Sequence, residues 1–87
     1  MKDFEKMNDQ QMEDVVGGIS QDEALAAALK HAGLSKSQVQ FIKPIELDFE
    51  HGRKVYEITF YMGGYEYEYD IDAETGKVLK FEKDLDD

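Results

Sequence analysis

Carboxylates and histidines are the side chains of this 87-residue sequence that could do acid–base or metal chemistry. The acids are numerous, with 20 Asp and Glu residues against ten Lys and Arg, and a surface of that composition is also what keeps a small protein soluble. We expect the two histidines, His31 and His51, to be solvated surface residues. The sequence contains no cysteine and no metalloprotease, phosphate-loop or activated-serine motif. It therefore predicts a protein that is not an enzyme and that uses no cofactor and no metal.

Acidic residues alternate with apolar ones along the second half of the chain, which places the acids of neighbouring strands on one face of a sheet. The candidate partner-binding face consists of Glu46, Glu57, Glu66, Glu68 and Asp70. This acidic face would suit a basic protein, whereas a net charge of −10 argues against nucleic acid or an anionic membrane. The alternative is a solvated row that only prevents aggregation. Calcium needs roughly six to eight oxygen ligands, which a flat strand face rarely supplies, so we expect no metal there.

The pair Gly17-Gly18 is a candidate cleavage site. Glycine costs about 1 kcal/mol relative to alanine inside a helix, so the pair marks a break in structure. Its lack of side chains also lets an extended backbone enter a narrow peptidase cleft. Cleavage after Gly18 would make Ile19 the new N-terminus. The junction predicts a removable leader, residues 1–18, and a domain, residues 19–87, which holds eight Lys and Arg against 15 Asp and Glu and so carries −7.

Spaced apolar residues precede the junction at offsets that share one face of a helix: Phe4, Met7, Met12 and Val15. Such a stripe is too small for a core, but it suits docking into a groove of a partner. The segment resembles the double-glycine leader of bacteriocin-type peptides, which ABC transporters with a cysteine peptidase domain export and cleave after the second glycine. The resemblance implies that the stripe docks on that peptidase domain and that a cytoplasmic precursor becomes a secreted bacterial protein. A disordered acidic tail with an incidental Gly-Gly linker is the alternative.

The residues after the junction predict a helix. Ser20 followed by Glu23 is a capping-box pattern, and an alanine-rich stretch continues to about Ala32. Gly33 is the expected left-handed stop, and Leu34 can fold back as its hydrophobic contact. The longest apolar run of the chain lies inside this helix and is far too short to cross a membrane.

Alternating apolar and polar residues predict four strands after the helix. The first runs over 39–49 and contains Pro44, which cannot donate to a ladder, so it should be an edge or bulged strand. Turns at His51-Gly52 and Gly63-Gly64 follow, a last turn ends at Gly76, and the final four residues should fray. The expected fold is α+β: one N-terminal helix on a four-stranded antiparallel sheet (order αββββ), in two layers, behind a flexible leader.

The turns also predict the registers. Two-residue centres at 51–52 and 63–64 make the numbers of paired residues sum to 103 and 127, which places Glu46, Glu57 and Asp70 in one row. A three-residue last turn would add Lys80 beside Asp70 and offset part of the repulsion.

Four segments of the predicted domain resemble the PepSY domain: 20–24, 32–34, 52–58 and 64–79. The resemblance covers nearly all of residues 19–83. It implies the fold and a role suggested for this family, which occurs in propeptides of secreted metallopeptidases and in bacterial envelope proteins: inhibiting or chaperoning peptidases.

The leading hypothesis is therefore an exported binding module that modulates an extracellular peptidase through a sheet edge or the acidic face. One alternative is a precursor of a secreted toxin or signalling polypeptide, although membrane-active peptides are usually cationic. Another is an intracellular structural or interaction domain with an acidic tail.

Overall fold

The computed structural model describes residues 18–86, which form one helix and a five-stranded antiparallel sheet. In chain order the elements are α1 (Gln21–Ala32), β1 (Phe41–Ile42), β2 (Glu46–Glu50), β3 (Arg53–Met62), β4 (Tyr65–Asp72) and β5 (Val78–Leu85). The α+β class and the helix-first order agree with the sequence-based expectation. The expected number of strands was four, and the structure has five.

Both ends of α1 form as the sequence predicts. The Oγ atom of Ser20 accepts from the Glu23 backbone N–H at 3.1 Å, and the Glu23 carboxylate accepts from the Ser20 N–H at 2.8 Å. At the other end Gly33 adopts φ 75°, and the Leu34 N–H bonds to the Leu29 carbonyl at 2.9 Å. These contacts satisfy backbone groups that a helix leaves free at its ends.

Two tight turns set the registers of β2, β3 and β4. His51 and Gly52 both have positive φ, as do Gly63 and Gly64, which matches the twist of a two-residue hairpin. Leu47 pairs with Tyr56, and Ile58 pairs with Tyr69, so both predicted registers are confirmed. Lys80 lies beside Asp70, also as expected.

The predicted first strand is interrupted at Pro44. Paired residue numbers sum to 102 along β1 (Phe41 with Tyr61) and to 103 along β2, so one extra residue is accommodated between them. The physical reason is that proline has no N–H to donate to β3. The shift turns Phe41 away from the helix, where it is 56% exposed, and Ile42 packs on the core in its place.

The core lies between α1 and the middle of β3 and β4. Its largest buried side chains include Phe60 and Tyr69, which stack with ring centroids 5.9 Å apart, and Phe60 also stacks on Tyr67 at 5.1 Å. Two alanines of the helix, Ala24 and Ala28, are fully buried and let the helix approach the sheet closely. A helix of 12 residues is only about 18 Å long, so it covers the centre of the sheet and leaves its margins open.

The margins of the sheet expose several large apolar side chains that the sequence pattern assigns to the interior. They are Leu47, Phe49, Leu79 and Phe81, and Leu85, which was expected to fray, is exposed as well. The last strand also continues further than expected, because Leu85 pairs with Tyr65 and the Asp86 N–H bonds to the Gly64 carbonyl at 2.9 Å. No helix found among residues 18–86 has the length and apolar character to cross a membrane.

Candidate functional site

The two edges of the sheet differ in their capacity to pair with another strand. One edge is formed by β1 and β2, with the Pro44 interruption between them. The other is β5, which runs for eight residues and pairs on one side only, with β4. An edge strand of this kind presents a row of backbone N–H and C=O groups to solvent. Within the described part of the chain, β5 is therefore the longer strand available for β-augmentation.

Side chains on the helix side of β5 continue the aromatic core outward. Phe81 stacks on Tyr69 with centroids 4.8 Å apart, yet it remains 41% exposed. Next to it, Lys83 places its Nζ 4.5 Å from the ring centroid of Tyr65 and 5.4 Å from that of Tyr67. This is a cation–π arrangement, in which the aliphatic part of the lysine lies along apolar surface while its ammonium group remains exposed to solvent.

His31 belongs to the same surface and is exposed, as the sequence predicts, but its ring also contacts two aromatic side chains. Its Nδ1 lies 2.9 Å from the Tyr69 hydroxyl oxygen, and its ring packs edge-on against Phe81 at 5.2 Å. The helix period places His31 over β4, where a buried tyrosine hydroxyl needs a partner. His51 lies in the β2–β3 turn and is exposed, as expected.

The acidic face forms on the side of the sheet opposite the helix. Glu57 pairs with Glu46 on one side and with Asp70 on the other, and this row ends at Lys80. The remaining two predicted members, Glu66 and Glu68, lie on β4. Glu68 pairs with Glu82 of β5, and Glu66 accepts a hydrogen bond from the Tyr61 hydroxyl at 2.9 Å. The structure thus brings the predicted acids onto one face.

Three carboxyl groups of this face have raised pKa values. For Glu57 the largest cause is partial burial, and the negative charge of Asp48 comes next. Partial burial is also the first cause for Asp70, followed by repulsion from Glu50. The pKa of Glu68 is likewise raised first by partial burial and then by the negative charges of Glu66 and Glu82. Each of these groups holds its proton more tightly in the folded protein than in the unfolded chain.

Two acids that the sequence analysis did not assign to the site join this face. Asp48 and Glu50 of β2 each place a carboxylate oxygen within 4.8 Å of one on Glu57. Their alternation with Leu47 and Phe49 is the signal that could have identified them. Three ligand oxygens are about half of what calcium requires, so water would have to complete such a site.

We expect the folded protein to be more stable at mildly acidic pH than at pH 7. Because the pKa values of Glu57, Glu68 and Asp70 are raised, the folded state binds more protons than the unfolded chain just above the ordinary values, 4.5 for Glu and 3.8 for Asp. Their contribution to stability therefore increases as the pH falls into that window. Asp72 has the opposite sign: its pKa is lowered, chiefly by the Glu74 backbone N–H, and its stabilisation is lost as the pH falls below 3.8 through its folded-state pKa.

Thermal unfolding between pH 7 and pH 2 at constant ionic strength measures this profile. The midpoint of thermal unfolding should be highest at about pH 5 and should fall steeply below about pH 3. A midpoint that decreases steadily from pH 7 to pH 4 would contradict the raised pKa values.

The predicted leader-docking residues, Phe4, Met7, Met12 and Val15, lie outside the described residues, and so does Gly17. Gly18 and Ile19 are described, and they lie against the folded domain beside the β4–β5 turn. The structure thus places the second half of the candidate cleavage site on the domain itself.

Comparison with known proteins adds a family and a relative. The family model described as "Peptidase propeptide and YPEB domain" (PepSY) matches residues 18–82. The uncharacterized protein Spy1430 of Streptococcus pyogenes serotype M6 is 37% identical over 62 residues, which cover 71% of this chain and 47% of that protein. The chain thus spans about half the length of this relative. No solved structure matches.

Proposed function

The chain belongs to the PepSY family, and on this premise we propose that it is an exported binding module that inhibits or otherwise modulates an extracellular peptidase. PepSY domains are propeptide or inhibitor-type modules, are generally non-catalytic, and occur in extracellular or periplasmic proteins. Residues 1–18 act as the leader, the peptidase domain of an ABC transporter cleaves after Gly18, and the domain beginning at Ile19 is released.

The observation that carries this proposal is the open edge of β5: its residues from Lys80 to Leu85 pair in constant register with β4 on one side only, and the register shift of this strand lies before them, at Leu79. An extended segment of a partner can add to this edge through main-chain hydrogen bonds, with alternate side chains giving specificity. On the helix side the added strand would meet Phe81, Lys83 and Leu85, which combine apolar area with one positive charge. On the other side it would meet Lys80, Glu82 and Asp84 beside the acidic face, which favours a segment with basic residues at those positions.

The intact mass of the native protein in culture medium and in cells tests export and cleavage. The proposal expects a species in the medium that begins at Ile19. Full-length protein confined to cells would contradict it and would favour an intracellular interaction domain.

An inhibition assay against any extracellular peptidase that is encoded beside this protein tests the modulation and locates its surface. Glu82→Lys on β5 and Glu46→Lys on β2 make the same charge change at opposite edges of the sheet. We expect Glu82→Lys to weaken inhibition by about tenfold and Glu46→Lys to weaken it far less.

Two outcomes of this assay would count against the proposal. A larger effect of Glu46→Lys would assign binding to the acidic face in place of the β5 edge. Unchanged peptidase rates at micromolar concentrations of the wild-type protein would contradict modulation itself.

A further inference from the structure

We propose that folding of the domain shields the Gly18–Ile19 bond. The peptidase then cleaves only a chain in which Ile19 has not yet packed on the domain or has locally detached from it. This inference rests on the proposed leader cleavage and adds its regulation. It predicts that the transporter peptidase cleaves the precursor before the domain has folded, and that a precursor that has already folded is a poor substrate.

Backbone groups on both sides of Ile19 are already engaged by the folded domain. The Ile19 N–H donates to the Ala73 carbonyl at 2.8 Å, and the Tyr56 hydroxyl donates to the Ile19 carbonyl at 2.8 Å. A peptidase cleft that binds an extended substrate uses these same main-chain groups. Access to the bond therefore requires that both hydrogen bonds open.

Side-chain packing adds to this protection. Ile19 is partly buried and packs against the core, and its Cδ1 lies 3.5 Å from the position that a Cβ on Gly76 would take. The following residue, Ser20, is tied into the capping box of α1. Residues on the C-terminal side of the bond are thus held one after another, and none is free to extend into a cleft without loss of contacts.

The position before the bond is equally close to the domain. A Cβ built on Gly18 would lie 3.2 Å from the Ala73 carbonyl oxygen, so the backbone at this point runs directly along the β4–β5 turn. Little room is left for a peptidase wall on this side of the bond.

The reaction is hydrolysis, with water as the co-reactant. The oxygen of water bonds to the Gly18 carbonyl carbon, the C–N bond to Ile19 breaks, and the nitrogen leaves as an amine that takes up a proton. The new ammonium group can still donate to the Ala73 carbonyl, so the product loses none of the contacts that hold Ile19. Cleavage is therefore compatible with the folded product even though the folded precursor resists it.

Thermolysin, which cleaves on the amino side of large aliphatic residues, serves as the probe because it needs neither the transporter nor the leader-docking contacts. Its rate of producing the Ile19 N-terminus is followed by mass spectrometry on the full chain and on a synthetic peptide of residues 12–26. We expect the full chain to be cut at this bond at least about tenfold more slowly than the peptide. Equal rates would overturn the proposal.

Two tyrosine variants identify the contact responsible. Tyr56→Phe removes the hydroxyl that bonds to Ile19 and should speed cleavage by about two- to tenfold with little change in the thermal midpoint, because one neutral hydrogen bond is lost. Tyr65→Phe is the matched control, since Tyr65 lies at the exposed margin of the sheet, and its rate should equal that of the wild type. A folded Tyr56→Phe protein that is cut no faster than the control would overturn the role assigned to this contact.

The thermolysin result and the mass of the protein in the medium test the shielding and the leader cleavage separately. Protection from thermolysin together with full-length protein in the medium would leave the shielding intact and contradict the leader. A species that begins at Ile19 in the medium together with no protection would do the reverse.

Discussion

Phe60→Ala should unfold this domain at 37 °C. Phe60 is fully buried, stacks on Tyr67 and Tyr69, and lies between the helix and the centre of the sheet. Replacing a buried phenylalanine by alanine costs about 3–5 kcal/mol, because transfer energy is lost and a cavity remains. Small domains have only about 5–15 kcal/mol in total, and this one is at the small end.

Urea and thermal unfolding followed by circular dichroism measure the effect of Phe60→Ala. The matched control is Phe49→Ala, because Phe49 is 65% exposed and its loss should change the unfolding free energy by less than about 1 kcal/mol. A cooperative Phe60→Ala protein with a midpoint near that of the wild type would show that the core is not where the structure places it.

Asp72→Ala should destabilise the domain and Asp70→Ala should not, although the two residues lie on the same strand. The Oδ1 atom of Asp72 accepts from the backbone N–H groups of Glu74 and Thr75, at 2.8 and 3.2 Å, and its Oδ2 accepts from Arg53 at 3.0 Å. These bonds lower the pKa of Asp72, so its ionised form stabilises the turn. The pKa of Asp70 is raised by partial burial and by Glu50, so its ionised form is disfavoured in the fold.

Thermal unfolding at pH 7 measures both variants. The midpoint of Asp72→Ala should fall by roughly 5–10 °C, and that of Asp70→Ala should be unchanged or higher. At a pH below the folded-state pKa of Asp72 the deficit of its variant should shrink, because the wild-type carboxyl is then protonated. Equal losses for the two variants at pH 7 would mean that the turn does not depend on the charge of Asp72.

Local chemistry in the sequence was enough to determine most of the secondary structure. The capping box of Ser20 and Glu23 and the stop at Gly33 predict both ends of the helix, because each depends on groups within one turn. The two-residue turns predict the registers of β2, β3 and β4 for the same reason. The alternation of acids likewise predicts that Glu46, Glu57 and Asp70 form one row, since side chains on a strand have period two.

Only the tertiary structure decided which apolar residues are buried. Alternation predicts that Leu47, Phe49 and Phe81 face the helix side, yet a 12-residue helix cannot cover a sheet with five strands, and these three side chains stay exposed. The length of a helix relative to the width of a sheet is a property of the whole assembly. For the same reason the sequence did not show that β5 forms an open edge, because that depends on which strand ends the sheet.

Contacts between residues far apart in the chain were also beyond the sequence. Ile19 meets Tyr56 and Ala73, and His31 meets Tyr69, across separations of 37 residues or more. No local pattern encodes such pairs, because they form only when the helix and the N-terminal residues of the domain pack on the assembled sheet. The sequence by itself determined where the chain turns and which face is acidic, whereas packing decided which edge is open and that Gly18 and Ile19 lie against the domain.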